Sequence, residues 1–208
     1  MSMGVASNGA RLAAVLVAAV AWIGIAVQFR ATLGQGYDIG ATLWILLRYF
    51  TILTNLALAV MMTMVALGRR VSPAWLGGVT LAMVLVGVVY MTLLRGLLDL
   101  SGGALLADTL LHKVTPILSA LWWLLLAPKG RLGRRAPLLW ALYPLVYFGY
   151  ALWRGSIEGV FAYPFINYAN IGVPAVALNA VVIAGCFLLA GLSMVAIDRR
   201  LGASRAAG

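Results

Sequence analysis

The stretch "LAAVLVAAVAWIGIAVQF", residues 12–29, contains no charged side chain, and its most polar member is Gln28. A helix that crosses the hydrocarbon core of a bilayer needs about 20 mostly apolar residues. A run of this length and composition therefore predicts a membrane-spanning helix. Arg11 in front of it also fits a signal peptide, but no clear cleavage site follows the run.

The composition of the whole chain agrees with a membrane protein. Of its 208 residues, 64% are hydrophobic and 10% are charged, whereas soluble domains are about 45–50% apolar and about 25% charged. The formal charge of +10 lies between apolar runs rather than on one basic face, so no nucleic-acid partner is expected. The single Cys186 excludes an intrachain disulfide framework and a multi-cysteine metal site.

Six runs have the length and hydropathy of spanning helices. The sequence therefore predicts an all-α integral membrane bundle in a single domain, 1–208, with spans at about 12–29, 43–67, 75–94, 104–127, 137–153 and 172–197. Alanine, glycine and arginine are abundant, as in proteins of GC-rich bacteria. We therefore expect a multi-pass protein of the bacterial inner membrane.

The loops divide the basic residues unequally. Three arginines lie on one predicted side, at 30, 95 and 154. The other side carries ten basic residues: Arg11, Arg69, Arg70, Lys129, Arg131, Arg134, Arg135, Arg199, Arg200 and Arg205. Because short cytoplasmic loops are enriched in Lys and Arg, both termini are predicted to lie in the cytoplasm.

Two of the predicted spans carry polar residues on one face. In span two, Arg48, Thr51 and Asn55 follow an i, i+3, i+7 spacing, and Thr54 lies beside them. In span four, Asp108, His112 and Thr115 follow i, i+4, i+7, with Lys113 adjacent and Pro116 following. Thr51 and His112 both lie about eight residues into their helices, which predicts similar depth at 1.5 Å per residue.

A charged residue in mid-span costs about 2.5–3.5 kcal/mol and usually faces a bundle interior or a cavity. Several such residues at one level favour a shared polar cavity in the outer half of the bundle. Each residue also has a simpler reading: Arg48 reaches the outer head groups, Asp108 is an interfacial charge, and Thr51, Thr54 and His112 are interhelical contacts.

The segment "EGVFAYPFINYANIG", 158–172, is rich in aromatic residues and proline. It indicates a lid over the mouth of the bundle, or alternatively an aromatic membrane anchor. Tyr143, Tyr147 and Tyr150 form a stripe at helical spacing, which fits either packing or the wall of a pocket.

Three short motifs carry a resemblance to a known family. "RYFT" in span two, "LLHKVTP" in span four and "YPFI" before span six resemble, in the same order, the androgen-induced and androgen-dependent TFPI-regulating proteins and their bacterial six-helix relatives. The resemblance implies an intramembrane threonine hydrolase of lipid esters, in particular fatty acid esters of hydroxy fatty acids. It assigns the nucleophile to Thr51, with Thr54 as a second hydroxyl nearby, and the histidine to His112.

A threonine hydroxyl becomes nucleophilic when a base takes its proton, and imidazole, with an ordinary pKa of about 6.5, suits that task. His112 is the chain's single histidine. Asp108 is positioned to orient its ring. Arg48 or Lys113 is expected to hold a substrate carboxylate or the oxyanion, with Asn55 as a second donor.

The expected partners are the lipid bilayer and a lipid ester, with a homo-oligomer left open, and no cofactor or metal is expected. Two other functions compete with hydrolysis. The cluster of Arg48, Asp108, His112 and Lys113 also fits a small transporter or proton-coupled carrier, although no internal repeat supports alternating access. In a non-catalytic scaffold, the same residues would only join helices.

Overall fold

The computed structural model describes the backbone of residues 7–207 and the side chains of residues 7–204. These residues form helices and no β-strand, so the predicted all-α class is confirmed for them. The helices are α1 (Asn8–Leu33), α2 (Ile39–Leu46), α3 (Phe50–Ala66), α4 (Pro73–Val89), α5 (Gly102–Thr109), α6 (Thr115–Leu126), α7 (Ala136–Glu158), α8 (Tyr168–Ile171) and α9 (Val173–Ala207). The side chain of Arg205 lies outside the described residues.

Two wide π-helical turns interrupt the α-helical pattern. One, Tyr90–Leu94, continues α4, and the other, Leu110–Val114, joins α5 to α6. A short 3-10 turn, Pro164–Ile166, precedes α8. Single π-helical turns inside α-helices occur frequently at functional sites, and both of these turns carry residues described below.

Five helical segments are long and apolar enough to cross a membrane within the described residues: Asn8–Leu33, Pro73–Leu94, Gly102–Leu126, Ala136–Glu158 and Val173–Ser204. The pair α2 and α3 passes the same test together, but its axes differ by 95° at the break between them. The structure thus has five candidate spans, or six if the bent pair forms one, as expected of a multi-pass membrane protein.

The predicted continuous span 43–67 is therefore wrong in one respect. The chain leaves the helical conformation at Tyr49, whose φ of −96° and ψ of 128° are extended, and α3 starts at Phe50. Arg48 consequently does not share a helical face with Thr51 and Asn55. The exposed carbonyls at the break are satisfied by side chains of α7, since the Tyr147 hydroxyl donates to Arg48 O (2.8 Å) and the Tyr150 hydroxyl to Leu47 O (3.2 Å).

Many large apolar side chains face outward, while several polar side chains lie inside the bundle beside a buried apolar core. Leu12, Val146 and Val181 are about 70% exposed, as suits side chains that face lipid. Inside the bundle, Thr54, Asn55 and Thr115 are fully buried, and the Arg154 side chain is also buried. The interior therefore holds a polar network whose members must find partners within the protein.

Close helix packing positions the segment that carries His112. Helix α1 approaches it at Gly24, where an added Cβ would lie 2.7 Å from Leu111 Cδ2. Helix α4 approaches it at Gly87, where an added Cβ would lie 3.1 Å from Pro116 Cβ. Larger side chains at either glycine would push these helices away from the π-helical turn.

Candidate active site

The two residues at the centre of the site are Thr51 and His112. Thr51 is the second residue of α3, and His112 is the third residue of the π-helical turn Leu110–Val114. The Thr51 hydroxyl oxygen lies 3.2 Å from His112 Nε2, within hydrogen-bonding distance. Thr51 is buried and His112 is largely buried. The structure thus brings together the two residues for which the sequence predicted similar depth.

Asn55 holds these two helical segments together. Its Nδ2 donates to Thr51 O (2.9 Å) and to Leu111 O (3.1 Å), while its Oδ1 accepts from the Thr115 hydroxyl (2.7 Å). Both amide hydrogens are therefore used on backbone carbonyls. The expectation that Asn55 donates to an oxyanion is wrong for this arrangement, and its contacts are those of a cross-link between α3 and the turn that carries His112.

Asp108 lies on the other side of the imidazole. Its Oδ1 is 3.1 Å from His112 Nδ1, and its backbone carbonyl oxygen is 3.2 Å from the same nitrogen. The Nζ of Lys113 is 3.8 Å from Asp108 Oδ2, and the Lys113 side chain remains partly exposed. Thr51, His112 and Asp108 thus form a hydroxyl, imidazole and carboxylate chain of the type that activates nucleophiles in hydrolases.

Tyr90 fixes both the carboxylate and the ring. Its hydroxyl donates to Asp108 Oδ2 at 2.6 Å, and its ring stacks on the His112 ring with centroids 4.5 Å apart and planes 19° apart. Tyr90 opens the other π-helical turn and is buried. No sequence pattern pointed to this residue, because a single tyrosine in an apolar span cannot be distinguished from a packing residue.

The second candidate hydroxyl, that of Thr54, points elsewhere. It donates to Phe50 O (2.8 Å) and lies 2.9 Å from the Tyr143 hydroxyl. The residue is fully buried, and no contact joins it to His112 among the described residues. Of the two threonines, Thr51 is therefore the one placed for proton transfer to the imidazole.

Arg48 forms an ion pair that the sequence did not predict. Its Nη2 lies 2.5 Å from Glu158 Oε2, and Arg154 Nε lies 2.6 Å from Glu158 Oε1. Arg154 also stacks over Trp44, with its Cζ 4.0 Å from the ring centroid. Two arginines therefore share one carboxylate, and the last residue of α7 holds the Arg48 side chain at the break before α3.

The segment predicted as a lid lies against the first turn of α3. The Tyr163 hydroxyl is 3.5 Å from the backbone nitrogen of Thr51. Burial raises the pKa of this hydroxyl, so it stays protonated and available as a donor at neutral pH. The start of α3 carries the positive end of the helix dipole, and the Thr51 N–H there donates to the Tyr163 hydroxyl oxygen. The surroundings of Thr51 are therefore suited to negative charge.

An apolar cavity of about 150 Å³ opens beside Thr51. Helices α4, α7 and α9 form its walls, and Tyr163, Phe165 and Ile166 cover one end. Tyr147, from the predicted tyrosine stripe, lines it as well. Pro144, which cannot donate to the hydrogen-bond ladder of α7, also lies on the wall. A hydroxyl, imidazole and carboxylate chain thus borders a space suited to hydrocarbon.

These features define the class of the molecule: an all-α protein with five or six helices of membrane-spanning length, in which a threonine, a histidine and an aspartate meet beside an apolar cavity. No protein-family model, no curated protein and no solved structure matches the chain. The resemblance of its short motifs to the androgen-induced family accordingly stays a prediction.

The shared carboxylate of Glu158 yields a test of stability. In the Glu158→Gln variant, the buried Arg154 and the partly buried Arg48 lose their counterion, at a cost of about 2–3 kcal/mol because Arg48 and Glu158 are partly exposed. With about 2–4 °C per kcal/mol for a chain of this size, we expect the unfolding temperature in detergent to fall by about 4–12 °C. The exposed Asp99→Asn serves as a control, and equal unfolding temperatures for both variants would contradict the assigned role of Glu158.

Proposed function

We propose that this protein is a multi-pass membrane hydrolase of lipid esters, with Thr51 as nucleophile and His112 as general base. The observation that carries the proposal is the chain from Thr51 Oγ1 through His112 to Asp108, with contacts of 3.2 Å and 3.1 Å. It lies beside an apolar cavity that fits the acyl part of such a substrate. Fatty acid esters of hydroxy fatty acids are the substrate class that the motif resemblance favours.

The proposed topology has six crossings, with the bent pair α2 and α3 as the second, and both termini on the cytoplasmic side of a bacterial inner membrane. The distribution of basic residues supports this orientation. Thr51 then lies below the outer head groups, close to the break before α3. An ester from the outer leaflet reaches it without leaving the bilayer.

The first chemical step is acylation of Thr51. As Oγ1 attacks the ester carbonyl, its proton passes to His112 Nε2, and the carbonyl π electrons move onto the oxygen. Asp108, next to Nδ1, stabilises the imidazolium that forms. The developing oxyanion is stabilised by the positive end of the α3 dipole and by the Tyr163 hydroxyl, which lies next to the backbone nitrogen of Thr51.

The intermediate then collapses and the bond to the alcohol oxygen breaks. The leaving alcohol takes the proton from His112, and the acyl group stays on Thr51. In the second half-reaction, His112 removes a proton from water, which attacks the acyl carbon and releases the free acid and the threonine hydroxyl. The low dielectric around the site strengthens each of these electrostatic contacts relative to water.

Arg48 and Lys113 take supporting roles in this proposal. Arg48 forms an ion pair with Glu158 about one turn before Thr51, and Lys113 lies beside Asp108. Both keep positive charge near the ester, where a substrate carboxylate or the developing oxyanion gains from it. Neither side chain contacts the Thr51 hydroxyl directly within the described residues.

Covalent labelling of the purified protein tests the proposal. A fluorophosphonate probe should react with the native protein in detergent, because Thr51 Oγ1 displaces fluoride from phosphorus as it would displace an alcohol from an ester. Peptide mass spectrometry should locate the adduct on Thr51, and heat-denatured protein should remain unlabelled. An unlabelled native protein that carries solutes across proteoliposome membranes would instead favour the carrier.

A further inference from the structure

The cavity beside Thr51 extends along two helices into the bundle. Along α7, its lining extends from Phe148 to Ala141, a rise of about 10 Å at 1.5 Å per residue. Along α9, it extends from Ala180 to Phe187, or about 10 Å. Tyr147 lies at the level of the break before α3, since its hydroxyl bonds to Arg48 O. The cavity therefore runs from Thr51 toward the opposite membrane face.

Beyond the last lining residue of α9, Phe187, this helix packs closely on its neighbours. At Gly191, one turn beyond Phe187, an added Cβ would lie 2.9 Å from Pro137 Cβ and 3.2 Å from Leu81 Cδ2. Helices α4, α7 and α9 thus touch directly at this level, and no room remains between them. Phe187 itself is buried and forms part of this floor.

The side of the cavity is open toward lipid. Leu145 and Ala184, which lie on its rim, are exposed on the surface of the bundle. A hydrocarbon chain can therefore enter from the bilayer between α7 and α9. An apolar cavity of about 150 Å³ holds a ligand the size of benzene, or about six carbons.

We infer that this cavity is the acyl-chain subsite and that two alanines determine how much of the chain it accepts: Ala141 at its deep end, and Ala184 on its lipid-facing rim one turn before Phe187. The inference rests on the proposed function, because it places the ester carbonyl at Thr51. About six to eight acyl carbons next to the carbonyl fill the cavity. Chain-length selectivity then arises from the two alanines and the floor at Phe187, while further carbons extend into lipid.

The test compares p-nitrophenyl esters with acyl chains of two to twelve carbons. For the wild type, kcat/KM should rise about fourfold per methylene up to about six to eight carbons and then level off. Leucine adds three carbons to each alanine. Ala141→Leu and Ala184→Leu should therefore reach their plateau two or three carbons earlier, and lose at least about tenfold on the octanoate while the acetate changes less than twofold.

Val181→Leu is the matched control, since Val181 lies on the lipid face of α9 and is 70% exposed. Its chain-length profile should equal that of the wild type. All comparisons use the same detergent, so that partition of the esters into micelles cancels between variants. Because the two leucine variants lie on different helices, α7 and α9, the test remains possible if one of the two variants does not fold.

A binding assay separates this inference from the hydrolytic proposal. Free fatty acids of four to twelve carbons displace a fluorescent fatty acid, dansylundecanoate, from the protein without any turnover. If Ala141→Leu and Ala184→Leu bind best to shorter fatty acids than the wild type does, the cavity is supported as the acyl subsite. This result would hold even if the protein hydrolysed no ester. In that case the proposed function would fail and the inference about the cavity would stand. Displacement and hydrolysis profiles that both variants leave unchanged would overturn the inference.

Discussion

Replacement of Thr51 by alanine is expected to lower kcat/KM for ester hydrolysis by at least about a thousandfold, because no other hydroxyl contacts His112 among the described residues. His112→Ala should cause a loss of the same order, since the hydroxyl then has no base. When two residues act in the same catalytic step, the losses of rate caused by replacing each of them do not add. The double variant should therefore be no slower than the slower single variant, as measured with a short p-nitrophenyl ester.

Two control variants separate chemistry from folding. Thr51→Ser keeps the hydroxyl and should retain turnover within about tenfold of the wild type. Thr54→Val removes the neighbouring hydroxyl, which bonds to Phe50 O and approaches Tyr143, and should lose stability rather than turnover. If Thr54→Val is inactive and Thr51→Ala is active, with both proteins folded, the two threonines have been assigned the wrong way round.

The helical architecture was predictable because apolar runs of about 20 residues leave few alternatives to a spanning helix. Helix α1 contains the predicted run 12–29, and α4 with its π-helical turn contains 75–94. Helix α1 extends beyond the predicted run at both ends, and α4 begins before its predicted run, because a helix can continue through polar residues outside the hydrocarbon core. Hydropathy detects only the part of a helix that needs an apolar environment.

The break in the second span was not predictable from local sequence. Residues 47–49 contain neither glycine nor proline, which are the usual signals of an interruption. The helix ends there because Tyr147 and Tyr150 bond to the carbonyls of Leu47 and Arg48, about 100 residues away along the chain. Contacts between distant parts of the chain thus overrode the local preference for a helix, and hydropathy and turn signals do not report such contacts.

The candidate site was predictable only where depth and periodicity carry information. The positions of Thr51 and His112 within their apolar runs predicted a common level, and the structure brings them to 3.2 Å. Arg48 was expected near a substrate, yet its partner Glu158 lies 110 residues away and ends a different helix. The segment of Tyr163 was expected to cover the bundle, but neither the contact of Tyr163 with Thr51 nor the role of Tyr90 was predictable, because both depend on which helices are neighbours and hydropathy does not specify that.

Asp108→Asn is expected to lower kcat by about a hundred- to ten-thousandfold, with a much smaller change in KM. The carboxylate next to Nδ1 favours the tautomer in which Nδ1 carries the proton and Nε2 is free to accept from Thr51. An asparagine amide loses the negative charge that stabilises the imidazolium, and can donate to Nδ1 instead of accepting from it. The effect belongs to the chemical step, so it should appear in kcat.

The chain's single histidine permits a direct measurement of this tautomer. With ¹⁵N-histidine labelling, only His112 contributes imidazole signals, and its two nitrogen shifts report which nitrogen carries the proton. The wild type should show a protonated Nδ1 and an unprotonated Nε2. In Asp108→Asn, the population with a protonated Nε2 should grow in parallel with the loss of kcat.

Tyr90→Phe provides the comparison, because it keeps the ring stacked on His112 and removes only the hydroxyl that bonds to Asp108. The carboxylate remains, so the tautomer should persist and kcat should fall by only about tenfold, the lower end of the range for one hydrogen bond to a charged group. The Asp108 backbone carbonyl, 3.2 Å from Nδ1, offers another acceptor for the same proton. If Asp108→Asn keeps both its tautomer and its kcat, that carbonyl orients the ring, and the carboxylate is a structural partner of Tyr90 and Lys113 alone.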